Sequence, residues 1–130
     1  VSRDGKRIVS AGEDSKIRIW SVNNGSEEMC IQDHEYAVYS VTFSPCESFI
    51  ASGGFDKLVR TSSLARSPEP SSAPPPSQCF EGHADTVYSV SYSGDGTLLA
   101  SSGRDKRILV FSVHTRRILH TMTLLYTYAR

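Results

Sequence analysis

Short stretches of alternating apolar and polar residues recur along the chain, and each predicts a half-buried β-strand. Val41 and Phe43 alternate with Ser and Thr, and Val90 and Tyr92 alternate with Ser. Tight-turn sequences such as the Gly-Asp-Gly at 94–96 separate the stretches. No stretch has the 3.6-residue period of an amphipathic helix, so the pattern predicts an all-β protein.

The predicted strands are organised in a repeat. The segment that begins at His34 matches the segment that begins at His83, at a shift of 49 residues, and the segment from Ser2 matches the second copy at a shift of 42. The two shifts agree once seven inserted residues are removed from the second copy. A period in the low forties, with four short strands per unit, is typical of the blades of a β-propeller.

The copies predict the boundaries of three blades. We call the four strands of a blade a, b, c and d in chain order. Residues 1–33 hold strands b, c and d of a truncated first blade. Residues 34–82 form the second blade, 83–124 form the third, and 125–130 form a tail. We therefore expect a partial β-propeller of about three four-stranded antiparallel blades. Because the outer faces of such an array are apolar and its strand edges are unpaired, we expect the isolated chain to self-associate or to need further blades.

The chain resembles the Trp-Asp (WD) repeat β-propeller family, over residues 1 to about 124. The resemblance is carried by Gly82-His83, Ser101, Asp105 and Ile19-Trp20. Ser21 replaces the Asp of the family's name. The resemblance implies a non-catalytic scaffold that mediates protein–protein interaction and the assembly of complexes.

Polar residues recur once per copy, and in the resembled family they form a buried hydrogen-bonded relay. The resemblance therefore implies a structural brace in each blade, made of Ser10, Asp14 and Trp20 in the first copy, His34, Ser52 and Asp56 in the second, and His83, Ser101 and Asp105 in the third. The Trp position holds Ser62 in the second copy and Phe111 in the third. Since neither can donate an indole N–H, we expect these two blades to be held less firmly.

Ser, His and Asp are also the catalytic groups of hydrolases that use a serine nucleophile. A propeller-type hydrolase with a Ser-His pair is therefore the alternative to a scaffold. Such an enzyme needs an accessible Ser hydroxyl within hydrogen-bond reach of the His. Because the residues recur once per blade, we favour the brace and predict no catalytic residues. Reactivity of Ser52 or Ser101 toward an activity-based label distinguishes the two interpretations.

The start of strand a and the b–c turn lie at the same edge of a blade, so their exposed residues converge. In the resembled family this face is the usual docking surface for other proteins. Aromatic and Arg side chains are typical of interaction hot spots. The predicted protein-binding residues are Glu13, Ala37, Tyr39, Phe55, Thr86, Tyr88 and Arg104. An alternative is that Tyr39 and Tyr88 pack along the wall of the central channel.

The charges and cysteines exclude several classes of function. Fourteen Lys and Arg balance fourteen Asp and Glu, so the chain lacks the excess of basic residues that nucleic-acid binding uses. A nucleic-acid recruitment module is therefore a weaker alternative. A binding affinity for nucleic acid that falls steeply with salt concentration would support it. No run of about 18 apolar residues predicts a membrane span. The chain has three cysteines, and none is part of a Cys-x-x-Cys pair: Cys30, Cys46 and Cys79. We therefore expect no disulfide framework and no metal site or cofactor. We also expect an intracellular location, cytoplasmic or nuclear.

Residues 65–78 form a Pro/Ser-rich insertion in the second blade. Five of the six prolines of the chain lie here, and this composition predicts an extended, solvated loop. Ser67 precedes a proline and is a possible phosphorylation site.

Overall fold

The computed structural model describes residues 1–64 and 77–124 and arranges them in three antiparallel sheets. The first sheet contains β1 (Arg7–Ala11), β2 (Ile17–Ser21) and β3 (Glu27–Ile31). The second contains β4 (Val38–Phe43), β5 (Phe49–Gly54), β6 (Val59–Ser63) and β7 (Gln78–Phe80). The third contains β8 (Val87–Tyr92), β9 (Leu98–Gly103), β10 (Arg107–Ser112) and β11 (Ile118–Thr123).

Each sheet is a meander in which neighbouring strands follow one another in the chain. The described residues contain strands and turns but no helix, which confirms the predicted all-β class and the partial propeller. None of them therefore belongs to a helix long and apolar enough to cross a membrane.

The predicted Pro/Ser-rich insertion, residues 65–78, includes one residue that belongs to a strand. Gln78 begins β7 and pairs with Thr61 of β6, so the insertion ends before residue 78. Ser67 and the tail at 125–130 lie outside the described residues.

Two apolar clusters join the three sheets face to face. Ile17 and Ile19 of the first sheet pack against Val38 and Ile50 of the second. The second and third sheets share a larger cluster, which contains Ala51, Val59, Phe80, Val87, Val90, Leu99, Leu109 and Phe111. Strand β4 lies between its neighbours, in contact with β1 on one side and β8 on the other. Burial of these side chains is the main force that holds the sheets together.

Strands β4 and β8 each contain a β-bulge near their first residue. Tyr39 and Tyr88 are the extra residues, because the pairing with the following strand skips them. The bulge shifts the phase of the strand, so that Val87 and Val90, three residues apart, both enter the buried cluster. The two tyrosines are left about half exposed at the edge of the sheets.

Candidate protein-docking surface

The brace of the second sheet is closed by two hydrogen bonds. The Nδ1 atom of His34 lies 2.8 Å from Asp56 Oδ2, and its Nε2 atom lies 2.8 Å from Ser52 Oγ. Burial lowers the pKa of His34, although the charge of Asp56 and its hydrogen bond oppose this effect. A neutral imidazole fits both contacts, because Nδ1–H donates to the carboxylate while Nε2 accepts from the Ser52 hydroxyl.

The third sheet repeats the same arrangement. His83 Nδ1 lies 2.9 Å from Asp105 Oδ2, and Nε2 lies 2.7 Å from Ser101 Oγ. Asp105 also accepts a 3.0 Å hydrogen bond from the Ala84 backbone N–H. Burial raises the pKa of Asp105, but the hydrogen bonds from Ala84 and His83 outweigh it and hold the pKa below its usual value.

The first sheet has the Trp contact but not the His contact. Trp20 Nε1–H donates to Ser10 Oγ at 2.9 Å. Asp14, for which the resemblance implies a place in the brace, instead accepts a 2.8 Å hydrogen bond from Arg18 four residues along the chain. The two members of this brace that meet are therefore Ser10 and Trp20.

The Trp positions of the other two sheets have contacts that the sequence does not predict. The Ser62 hydroxyl donates to Asp33 Oδ2 at 2.8 Å. Phe111 is fully buried and packs edge to face against Phe80, with 5.3 Å between ring centroids. The indole is thus replaced by a hydrogen bond in one blade and by an aromatic contact in the next.

One edge of the three sheets carries most of the predicted docking residues, and we call it the upper edge. It consists of the turns at 12–16, 54–58 and 103–106 and the strand approaches at 33–39 and 82–88. Phe55 N–H donates to the Ala37 carbonyl at 2.9 Å, which fastens the turn to the approach of β4. The turn comes so near that a Cβ atom at Gly54 would collide with that carbonyl oxygen, so glycine is required there.

Four aromatic side chains on the upper edge form two pairs. Tyr39 and Tyr88 meet edge to face across the second and third sheets, with 5.8 Å between centroids. Tyr36 and Phe55 meet in the same way within the second sheet, at 5.7 Å. All four are 48–54% exposed. The edge therefore presents ring surface to solvent in a fixed arrangement.

Tyr36 is absent from the residues that the sequence predicts for this surface. It lies in the approach to β4, where the alternation of a strand does not apply. A comparison of the copies could have found it. The equivalent position in the third copy holds Asp85, and a position that differs between copies is not one that the shared fold requires.

Thr86 was predicted to be exposed, and this is wrong. Its residue is only 3% exposed, because the turn that carries Arg104 lies directly over it. The Thr86 carbonyl accepts the Arg104 N–H at 2.8 Å. Glu13 and Arg104 are exposed as predicted, and Ala37 is half-buried.

Comparison with known proteins identifies repeats in three segments of the chain. The WD domain, G-beta repeat family matches residues 1–21, 25–61 and 74–112. Protein HIR1 of Gibberella zeae is 33% identical over 91 residues, which are 58% of this chain and 9% of that protein. The transcriptional corepressor LEUNIG_HOMOLOG of Arabidopsis thaliana is 34% identical over 45% of this chain and 8% of its own length. The U5 small nuclear ribonucleoprotein 40 kDa protein of Dictyostelium discoideum is 38% identical over 45% of this chain and 16% of its own length.

The chain spans less than a fifth of the length of each of these relatives. The family match, in contrast, extends over more than half of the chain and includes residues from all three sheets. The chain belongs to the WD40 family of WD-domain, G-beta repeat proteins.

Proposed function

We propose that this chain is a non-catalytic scaffold that binds other proteins through its upper edge. The observation that carries the proposal is the pair of aromatic contacts there, Tyr36 with Phe55 and Tyr39 with Tyr88. Exposed aromatic rings held in place by one another offer contact area at little cost in side-chain entropy. Arg104 adds a charged group of the kind enriched at interaction hot spots.

The burial of the brace supports a structural role for its serines. The distances from His34 to Ser52 and from His83 to Ser101 suit proton transfer, as in a hydrolase. However, Ser52 is 1% exposed and Ser101 is 2% exposed. A substrate cannot reach a hydroxyl that is covered in this way. We therefore expect neither serine to react with an activity-based label.

The names of two relatives support a role within larger assemblies. One is called a transcriptional corepressor and another a component of a small nuclear ribonucleoprotein. We extend from them only the general idea of association with other proteins. We further propose an intracellular location, cytoplasmic or nuclear, in keeping with three free cysteines at exposed or half-buried positions.

Site-specific photo-crosslinking tests the proposal. A photoreactive phenylalanine analogue is placed at Tyr39 or Tyr88 on the upper edge, and at Phe49 or Leu98 on the opposite edge as controls. The two control positions are 45% and 37% exposed and occupy equivalent places in the second and third sheets. We expect crosslinks to specific proteins from the upper-edge positions. Equal labelling from both edges, or labelling from the control edge alone, contradicts the proposal.

A further inference from the structure

The three turns of the upper edge have the same backbone shape. In each turn the N–H of the fourth residue donates to the carbonyl of the glycine that opens it, over 3.2–3.3 Å. The donor residue has a left-handed φ in every case, with values of 66° for Ser15, 69° for Lys57 and 64° for Lys106. The residue that follows the glycine therefore occupies the same place in all three turns.

That shared place holds three different kinds of side chain. It is Glu13 in the first sheet, Phe55 in the second and Arg104 in the third, and all three are exposed. At this turn position the three sheets thus present an acid, an aromatic ring and a base, in that order. Glu35 and Lys57 lie beside Phe55 with charges of opposite sign.

The neighbouring aspartates do not neutralise this arrangement, because they point to other partners. Asp14 bonds to Arg18, Asp56 to His34 and Asp105 to His83. Within residues 1–64 and 77–124, the side chains of Glu13 and Arg104 form no hydrogen bond or ion pair. Their charges are left for a binding partner.

We propose that the upper edge binds an extended segment of a partner protein that carries a cation over Glu13, an apolar side chain over Phe55 and an anion over Arg104. The inference rests on the proposed function and adds the chemistry of the partner. A partner with charges of one sign throughout is repelled at one end of the row, because Glu13 and Arg104 have opposite charges. For the same reason the edge is poorly suited to the uniformly negative backbone of a nucleic acid.

The spacing of the segment follows from the packing of the sheets. Stacked sheets lie about 10 Å apart. A segment in the polyproline II conformation rises about 3.1 Å per residue and turns once every three residues, so side chains three positions apart lie on one face and span roughly one blade. The row is continuous, because Val38 N–H at the start of β4 donates to the Gly12 carbonyl of the first sheet at 3.0 Å. Tyr39 and Tyr88 join the second and third sheets in the same way. The expected pattern is a cation, an apolar residue three positions away and an anion three positions beyond it.

Four synthetic peptides of three compositions test this pattern by fluorescence polarisation with the full chain at low ionic strength. All have Leu at the centre, and the two flanking positions carry Lys and Glu, Glu and Glu, or Lys and Lys. The Lys/Glu peptide is made with either residue first. We expect the wild-type chain to bind the better Lys/Glu peptide about fivefold more tightly than the other two compositions, the effect of one exposed ion pair.

Charge reversal on the protein should then change which peptide binds best. With Glu13→Lys we expect the Glu/Glu peptide to bind best, and with Arg104→Glu the Lys/Lys peptide. Phe55→Ala should weaken all four alike. Two control variants at the opposite end of the sheets, Glu28→Lys and Arg117→Glu, alter the net charge equally and should retain the wild-type order. Circular dichroism checks that each variant is folded.

Two results separate this inference from the proposed function. The inference is wrong if the Glu13→Lys and Arg104→Glu variants bind the peptides in the same order of affinity as the control variants. It is also wrong if the wild-type chain binds all the peptides with equal affinity. The proposed function still stands in that event, provided that a crosslinked partner depends on Tyr88. If no substitution on the upper edge changes the affinity for that partner, the proposed function and the inference are both wrong.

Discussion

The buried brace and the exposed turn position both occur once per repeat, but they differ in what they hold. The brace has the same residue types in the second and third sheets, with His–Ser distances of 2.8 and 2.7 Å. The turn position holds Glu13, Phe55 and Arg104 on one backbone shape. Buried polar groups must satisfy one another, so each limits the choice of the next. Exposed side chains have no such requirement. The repeated interior therefore accounts for the fold, and we propose that exposed residues of the upper edge, including those that differ between the blades, account for recognition.

The largest loss of stability is expected from Phe111→Ala. Phe111 is fully buried and contacts Phe80 of the second sheet, so truncation opens a cavity between two blades. Such a change costs about 4 kcal/mol in the free energy of unfolding, measured by urea denaturation. A loss below about 1 kcal/mol would mean that the two sheets are not packed through this ring.

A loss of about 3 kcal/mol is expected from His83→Ala, because it leaves the Asp105 carboxylate and the Ser101 hydroxyl buried without their shared partner. Urea denaturation measures it, and the exposed His114→Ala is the control. Equal stability of the two variants would show that the brace does not support the fold.

A smaller effect is expected at the substituted Trp position of the second sheet. Ser62→Ala removes the 2.8 Å hydrogen bond to Asp33 and should cost about 1 kcal/mol. Ser89→Ala, on an exposed strand position, should cost nothing measurable. If Ser62→Ala is as harmless as Ser89→Ala, the Ser62 contact does not replace the missing indole.

The smallest effect is expected in the dependence of stability on pH. Burial lowers the pKa of His34 in the folded chain, against the charge of Asp56, whereas the unfolded chain titrates near 6.5. The unfolded state therefore binds more protons below that pH, and stability is lost as the pH falls from about 6.5 through the lowered pKa. Arg60 and Asp33 also act on the imidazole.

Unfolding in urea at pH 7.5 and 5.5 measures this loss. His34→Asn should reduce the difference between the two pH values, although the variant is less stable at both. A difference as large in His34→Asn as in the wild-type chain would assign the effect to another group.

The strands and turns could be predicted from the sequence because alternation and turn residues are local signals. Alternation assigns a face to each residue, but it does not reveal a bulge, so the phase shift at Tyr39 and Tyr88 appears only in the structure. The burial of Thr86 depends on a turn that folds over it from another part of the chain.

The aromatic contact of Tyr36 was beyond sequence reasoning for a similar reason. It joins a loop residue to Phe55, nineteen positions away, and no periodic pattern connects the two. The contact between Ser62 and Asp33 likewise joins a strand to a connection that carries no strand signal.

The central claim, that exposed side chains of the upper edge bind the partner, is tested most directly by comparing the two edges. A partner identified by crosslinking at Tyr88 is purified, and its affinity is measured for the wild-type chain and two double variants. Phe55→Ala with Tyr88→Ala removes upper-edge rings, and Phe49→Ala with Leu98→Ala removes comparable apolar surface from the opposite edge. We expect the first pair to weaken binding by at least about tenfold and the second to leave it within about twofold. Equal losses from the two pairs, or a loss from the second alone, would contradict the claim.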